Sequence, residues 1–389
     1  MAINVRPVRT EAENQAFLRM PWTVYADDPI WTPPLWKTHV EFFDPEHNPE
    51  LRHMTIEKFV AWDGDKPVGT VIAHVNHAYN DFHNQNAGWF GQFELVDDPQ
   101  VGQALLDAVE AFHAEQGSDD ILGPVTFSTN SEVGLLVDGF DRMQMPLMPH
   151  ARPYYQGFIE AHGFEKHQDL WAWYIDGYNW GGRAADKSPE KIERVVGKIK
   201  ARRSWTVESL QMRHVDRELA AATEVYNAAW GDNWGFVPMN PTEIAHLAEE
   251  LTPLLDPNIV IIIRHEGRMV GFGIPIPENY KPKRLANCKP GEPHWLQLLR
   301  FLWHWKVRRQ IDGVRVWGLG LLEEYRGTGL DAMIYFEMMK RGLPRGYRHI
   351  EMRWILADND MMNRPLAMMG ARVHKTYRVY SKAVGPASA

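Results

Sequence analysis

Residues 314–342 read VRVWGLGLLEEYRGTGLDAMIYFEMMKRG, and the order of residue types in that stretch decides the fold. The apolar run at 314–322 predicts a strand, and apolar positions at helical spacing over 329–341 predict a helix. Only a short turn carrying Arg326-Gly327-Thr328-Gly329 separates them. Glycines let the backbone fold tightly and point successive N–H groups into one concavity. The start of the helix adds unpaired donors and the positive end of its dipole. Together they suit a pyrophosphate, with Arg326 as a charge-assisted contact. Taken alone, R-G-x-G also fits an ordinary strand-to-helix turn.

Working outward, the same order of signals occurs once earlier in the chain. Strands at 59–63 and 68–75 flank the turn Asp63-Gly64-Asp65-Lys66-Pro67, and strands at 259–264 and 269–276 flank His265-Glu266-Gly267-Arg268. A strand at 93–96 precedes an amphipathic helix at 101–115, as 314–322 precedes 329–341. Each helix leads to another apolar strand, 121–127 and 349–356. Each half then closes with a helix stopped by glycine (Gly163, Gly370) and an aromatic strand, 170–175 and 377–382. Gly69 matches Gly271, and Gly102 matches Gly329, at an offset of roughly 200 residues. Insertions at 128–149 and 278–305 make the offset uneven. A repeat this long means duplicated domains and not a solenoid. The expectation is a mixed α/β (α+β) fold in two tandem domains, 1–180 and 204–389. The linker falls within 176–204, where 189–203 looks helical and basic.

Composition narrows the function. With 44% hydrophobic and 24% charged residues in 389, the chain is globular. Its apolar runs are far shorter than a bilayer span, and MAINVRPVRT carries no secretory signal. The single cysteine, Cys288, cannot form an internal disulfide, which fits a reducing, cytoplasmic compartment. It lies in a polar, proline-containing stretch and reads as an inert loop thiol. The 42 basic and 50 acidic side chains, a formal charge of −8, argue against nucleic acid. His74 and His77 fall on opposite faces of an alternating strand, which disfavours a shared metal with His83. No metal, nucleic-acid or membrane partner is expected, and the oligomeric state stays open.

Two motifs in register make residues 204–384 resemble the GNAT (GCN5-related N-acetyltransferase) superfamily. The family pattern (Q/R)-x-x-G-x-(G/A) is matched by Gly327 and Gly329, with Arg326 at a common arginine position; Glu324 departs from the usual Gln or Arg. The second motif is Ile355-Leu356-Ala357-Asp358-Asn359 followed by a helix closing at Met369-Gly370-Ala371, where Ala371 replaces an aromatic. The resemblance implies two GNAT-like domains and an acyl-CoA-dependent N-acyltransferase. Its co-substrate would be acetyl-CoA or a longer acyl-CoA, held by Leu319, Leu321, Arg326, Gly327, Thr328, Gly329, Leu330 and Asn359. In the first half, Asp97-Asp98-Pro99-Gln100-Val101-Gly102 retains only the last glycine. Pro99 removes an amide donor and the aspartates repel phosphate, so that half is expected to be a pseudo-domain without CoA.

The resemblance also implies direct attack of an amine on the thioester, the acceptor being a small molecule or peptide. Glu351, which shares a strand face with Arg353, is the preferred general base, with Glu323 as the fallback. The tyrosine that often protonates the thiolate in the family is here Leu366, leaving Tyr377 and Tyr380 as the nearest alternatives. Residues 230–236, WGDNWGF, stand at the family's acceptor loop, where Trp230, Asp232, Asn233, Trp234 and Phe236 either line the pocket or tack the loop onto the core. A non-catalytic acyl-CoA sensor or scaffold and a Fem-type aminoacyl transferase are the alternatives in function.

Overall fold

The computed structural model describes residues 3–177, 189–202, 205–231 and 233–385. They form two compact units that do not follow chain order. Met1–Leu170, Tyr280–Arg309 and Lys375–Ala389 make one; Trp171–Asn279 and Gln310–His374 make the other. Compactness thus divides the chain differently from the boundaries 1–180 and 204–389: the 280–309 insertion and the chain's end join the first unit.

In the first unit the strands Asn4–Pro7, Met54–Asp63, Lys66–Asn76 and Ala87–Leu95 run antiparallel in that order. The helix Pro99–Gln116 then crosses over, and Asp120–Gly123 pairs parallel to Ala87–Leu95. The end of the final strand, Arg372–Ala383, lies antiparallel beside Asp120–Gly123, with Tyr380 opposite Gly123. The helix Glu11–Val24 begins at a capping box of Thr10 and Glu13 and buries Phe17 and Leu18 against Val60 and Ile72. The strand expected at 121–127 is cut short. Pro124 has no N–H for the ladder, and Val125–Thr126 turns off to pair with Glu132–Val133.

The second unit repeats this plan. Trp205–Ser209, Ile261–His265, Arg268–Pro277 and Gly313–Leu321 are successive antiparallel neighbours. The helix Leu330–Gly342 crosses over to His349–Leu356, which pairs parallel to Gly313–Leu321. The correspondence holds to single residues: Gly69 lies opposite Leu95 in the first unit, and Gly271 opposite Leu321 in the second. Within the proposed linker, Pro189–Arg202 is a helix, and 178–188 lie outside the described residues.

Candidate active site

The strand Gly313–Leu321 is bulged. Pro275 faces Val316 and Ile274 faces Gly318, so Trp317 is the extra residue. Its parallel pairing to the next strand ends at Val316 and Met352. Beyond those rungs the two strands run on to Leu321 and Leu356 without pairing to each other. At the far end of the bulged strand, Gly327 and Gly329 take φ of +71° and +86°, values that favour glycine. A Cβ on Gly327 would meet no atom within 4 Å, so its face of the turn is open.

Gly329 is the N-cap of the helix Leu330–Gly342, and no side chain caps that helix. The equivalent helix of the first unit begins differently. There the Asp98 carboxylate accepts from the Gln100 N–H at 2.9 Å, and Pro99 supplies no donor. One helix start receives a carboxylate of its own chain; the other has no side-chain cap, and Ile199 packs beside Gly329.

The remaining loop residues are positioned as follows. Thr328 Oγ1 donates to the Tyr325 carbonyl at 2.6 Å, which tightens the turn. Arg326 donates to the Ala229 carbonyl at 2.9 Å, and Glu324 lies 3.6 Å from Arg268. Leu319 and Leu321 pair opposite Gly273 and Gly271, and Leu330 is fully buried. Asn359 caps the helix Asp360–Met368 by accepting from the Met362 N–H.

Glu351 stands opposite Arg315, one rung before the pairing stops. Both side chains are fully buried, with Arg315 Nε 4.0 Å from Glu351 Oε1. The other carboxylate oxygen, Oε2, lies 2.6 Å from Nε2 of His374. An ionised Glu351 only accepts, so it pairs with the tautomer that carries the hydrogen on Nε2. The imidazole keeps 10% of its surface exposed where the carboxylate keeps none. Tyr174 packs at 5.1 Å from the His374 ring and bonds through its hydroxyl to Nδ1 of His349 at 2.5 Å. On the same strand face, burial and the nearby Arg315 push Arg353 down to about 9.

The acceptor-loop residues are drawn into an aromatic stack. Trp230 packs on Tyr226 at 4.6 Å and on Phe272 at 6.0 Å, and Tyr226 lies parallel to Trp317 at 6.2 Å. Phe236 is buried beside Tyr226. The Asn233 N–H donates to the Trp230 carbonyl, and the Phe236 N–H to that of Asn233. Trp234 is half-buried, and Asp232 lies outside the described residues. Tyr377 and Tyr380 belong to the first unit and are fully buried there. Tyr377 sits opposite Leu136, and Tyr380 donates to Glu160 at 3.0 Å.

Sequence reasoning missed Arg315 and His374. Arg315 was a visible anomaly, a charge inside an apolar strand. His374 carried no motif. Among the described residues no three His, Cys, Asp or Glu side chains are grouped as a metal site would require.

No family model matches the chain. It is 31% identical over 387 residues to the bacterial ceramide synthase of Caulobacter vibrioides, covering 98% of each protein. It is 29% identical over 384 residues to protein YghO of Escherichia coli, covering 98% of this chain and 95% of the other. Among solved structures, a tandem GNAT protein from the clavulanic acid biosynthesis pathway superposes with a TM-score of 0.56 at 11% identity, covering 99% of this chain and 100% of that one. A GCN5-related N-acetyltransferase from Sphaerobacter thermophilus gives 0.53 at 12% identity, covering 99% and 96%. These likenesses establish the GNAT fold.

Proposed function

Because the chain belongs to the same family as the Caulobacter vibrioides bacterial ceramide synthase, we propose that it is an acyl-CoA-dependent N-acyltransferase whose acceptor is the amine of a long-chain amino alcohol. The observation that carries this reading is the buried Glu351–His374 pair one rung before the strands part. In this reading the acyl-CoA phosphates lie at the glycine turn and the helix start after Gly329, which no side chain caps, and the thioester reaches back along the bulged strand towards the splay.

The amine must lose a proton to attack. Nδ1 of His374 accepts it while Glu351 holds the ring and balances the imidazolium. The amine nitrogen forms the new C–N bond at the thioester carbonyl, the C–S bond breaks, and the proton leaves with the thiolate as free CoA thiol. Glu351 therefore moves from general base to positioning residue, because its own carboxylate is buried behind the imidazole. The single, buried Cys288, whose thiol is pushed up to about 11 by burial, takes no part.

The test is thiol release from acyl-CoAs of increasing length, with a sphingoid amine, a short amine or no acceptor. The reading expects release that needs both a long-chain amine and a long acyl chain, with one amide formed per thiol. Release independent of the amine contradicts it.

A further inference from the structure

We infer that the helical segment Tyr280–Arg309 is a docking surface for an anionic phospholipid bilayer. The inference rests on this surface and not on the reaction proposed above.

The segment's inner side is fixed to the first unit. Ala286, Cys288 and Phe301 form a small core with Leu35, Leu298 and Trp305. Gln297, fully buried, accepts from the Trp36 N–H at 2.8 Å and donates to the Lys289 carbonyl at 2.8 Å. Trp22 donates to the Cys288 carbonyl at 2.9 Å.

The outer side is equally apolar but faces solvent. Trp295, Leu299 and Leu302 follow one another at i, i+4 and i+7, one face of the helix His294–Leu302, and Trp303 opens the π-helical turn Trp303–Val307 that continues it. Their exposures are 66%, 59%, 37% and 51%, and Val307 beyond them is 60% exposed. A folded chain rarely leaves two tryptophans and three aliphatic side chains together in water.

Charge selects what covers them. The whole chain is acidic at −8, yet residues 280–309 hold eight Lys and Arg against one carboxylate, Glu292. Of these, Lys306, Arg308 and Arg309 are exposed at the end of the apolar face, and Lys289 is exposed at the head of the segment. Tryptophan and leucine bordered by cations match the boundary between acyl chains and anionic headgroups. A second copy fits less well, because an isologous contact sets the basic rim against itself. No helix among the described residues is long and apolar enough to cross a membrane, so the segment would lie in the interface. This departs from the sequence expectation of no membrane partner, which rested on run length. Interfacial binding needs no long run.

The full chain would be floated with vesicles of phosphatidylcholine alone and of phosphatidylcholine mixed with phosphatidylglycerol. Flotation is expected only with the anionic vesicles, falling as salt is raised. Trp295→Ser with Trp303→Ser should abolish it. Lys306→Glu with Arg308→Glu and Arg309→Glu should weaken it by about a hundredfold or more. These side chains are exposed, so unchanged melting temperatures are expected. Should either variant unfold, quenching of the native chain's tryptophan fluorescence by brominated acyl chains, reversed by Trp295→Phe with Trp303→Phe, decides instead. The proposal is overturned if the native chain stays in the aqueous fraction with both compositions, or if both variants float like it. It is also overturned if the serine variant changes only the sedimentation mass of the free protein, which would make the face a self-association surface.

Discussion

Nε2 of His374 and Oε2 of Glu351 are 2.6 Å apart, although the residues lie 23 positions apart on different strands. The carboxylate is fully buried, with this imidazole at one oxygen and Arg315 4.0 Å from the other. In the reaction we propose, that arrangement orients the histidine and balances its charge.

Glu351→Gln should lower kcat by about 10²–10⁴-fold, the usual cost of disabling a general base, with acyl-CoA Kd unchanged. It also removes the carboxylate charge 4.0 Å from the buried Arg315 guanidinium, which should lower stability. Glu351→Leu with Arg315→Met should recover much of the melting temperature and none of the activity. Activity returning with stability would make the role purely structural.

Acyl-CoA should bind once per chain. Gly327 at φ +71° has open space around it but a backbone that a β-branched residue resists. Gly327→Val should weaken acyl-CoA affinity at least tenfold by calorimetry. Asp98→Gly in the first unit should create no second site, because Pro99 still withholds an amide. A stoichiometry of two contradicts the assignment.

Two neighbouring glycines should differ. A Cβ on Gly320 would approach the Trp230 ring at 2.9 Å, whereas one on Gly318 meets its neighbours at 3.7 Å or more. Gly320→Ala should cost about 1–3 kcal/mol by overpacking, and Gly318→Ala little. Equal melting temperatures for the two variants would show that the indole does not rest on this strand.

The first unit should lose stability in mild acid. His74 and His113 are fully buried, each bonded to a backbone carbonyl, and burial lowers both to about 4. Their unfolded forms bind a proton near pH 6.5, so between about 6.5 and 4 the unfolded state holds more protons. Stability from these histidines is present above that window and falls as pH drops through it, by about 3 kcal/mol each. Glu94, raised to about 8 by burial, acts in the opposite sense: its contribution is full below about 4.5 and is lost as pH rises from there to about 8, so it offsets part of the histidines' effect. Denaturant midpoints at pH 7 and pH 4.5 check the sum, and a flat profile contradicts it.

Local signals carried much of this architecture. The glycine loop, the duplicated hairpins and the crossover helices were legible because each depends on residues close in sequence. So was the different start of the first unit's crossover helix, written in Asp98 and Pro99. His374 was not legible, since its partner is set by which strands lie side by side and no spacing encodes that. Nor was the placement of 280–309 with the first unit, which depends on distant side chains such as Trp22 and Trp36. For Trp230 and Phe236 the sequence left pocket lining and core packing open, because periodicity alone cannot tell a pocket wall from an aromatic core; the structure shows both packed on Tyr226.

The most direct test of the account is amide formation by His374→Ala. With a long-chain amine and acyl-CoA, product would be quantified by mass spectrometry alongside thiol release, and acyl-CoA affinity measured on the same preparation. The account predicts that affinity is retained while amide formation falls by about 10²–10⁴-fold. Turnover equal to that of the native chain would contradict it, since the proton would then leave the amine without the Glu351–His374 pair.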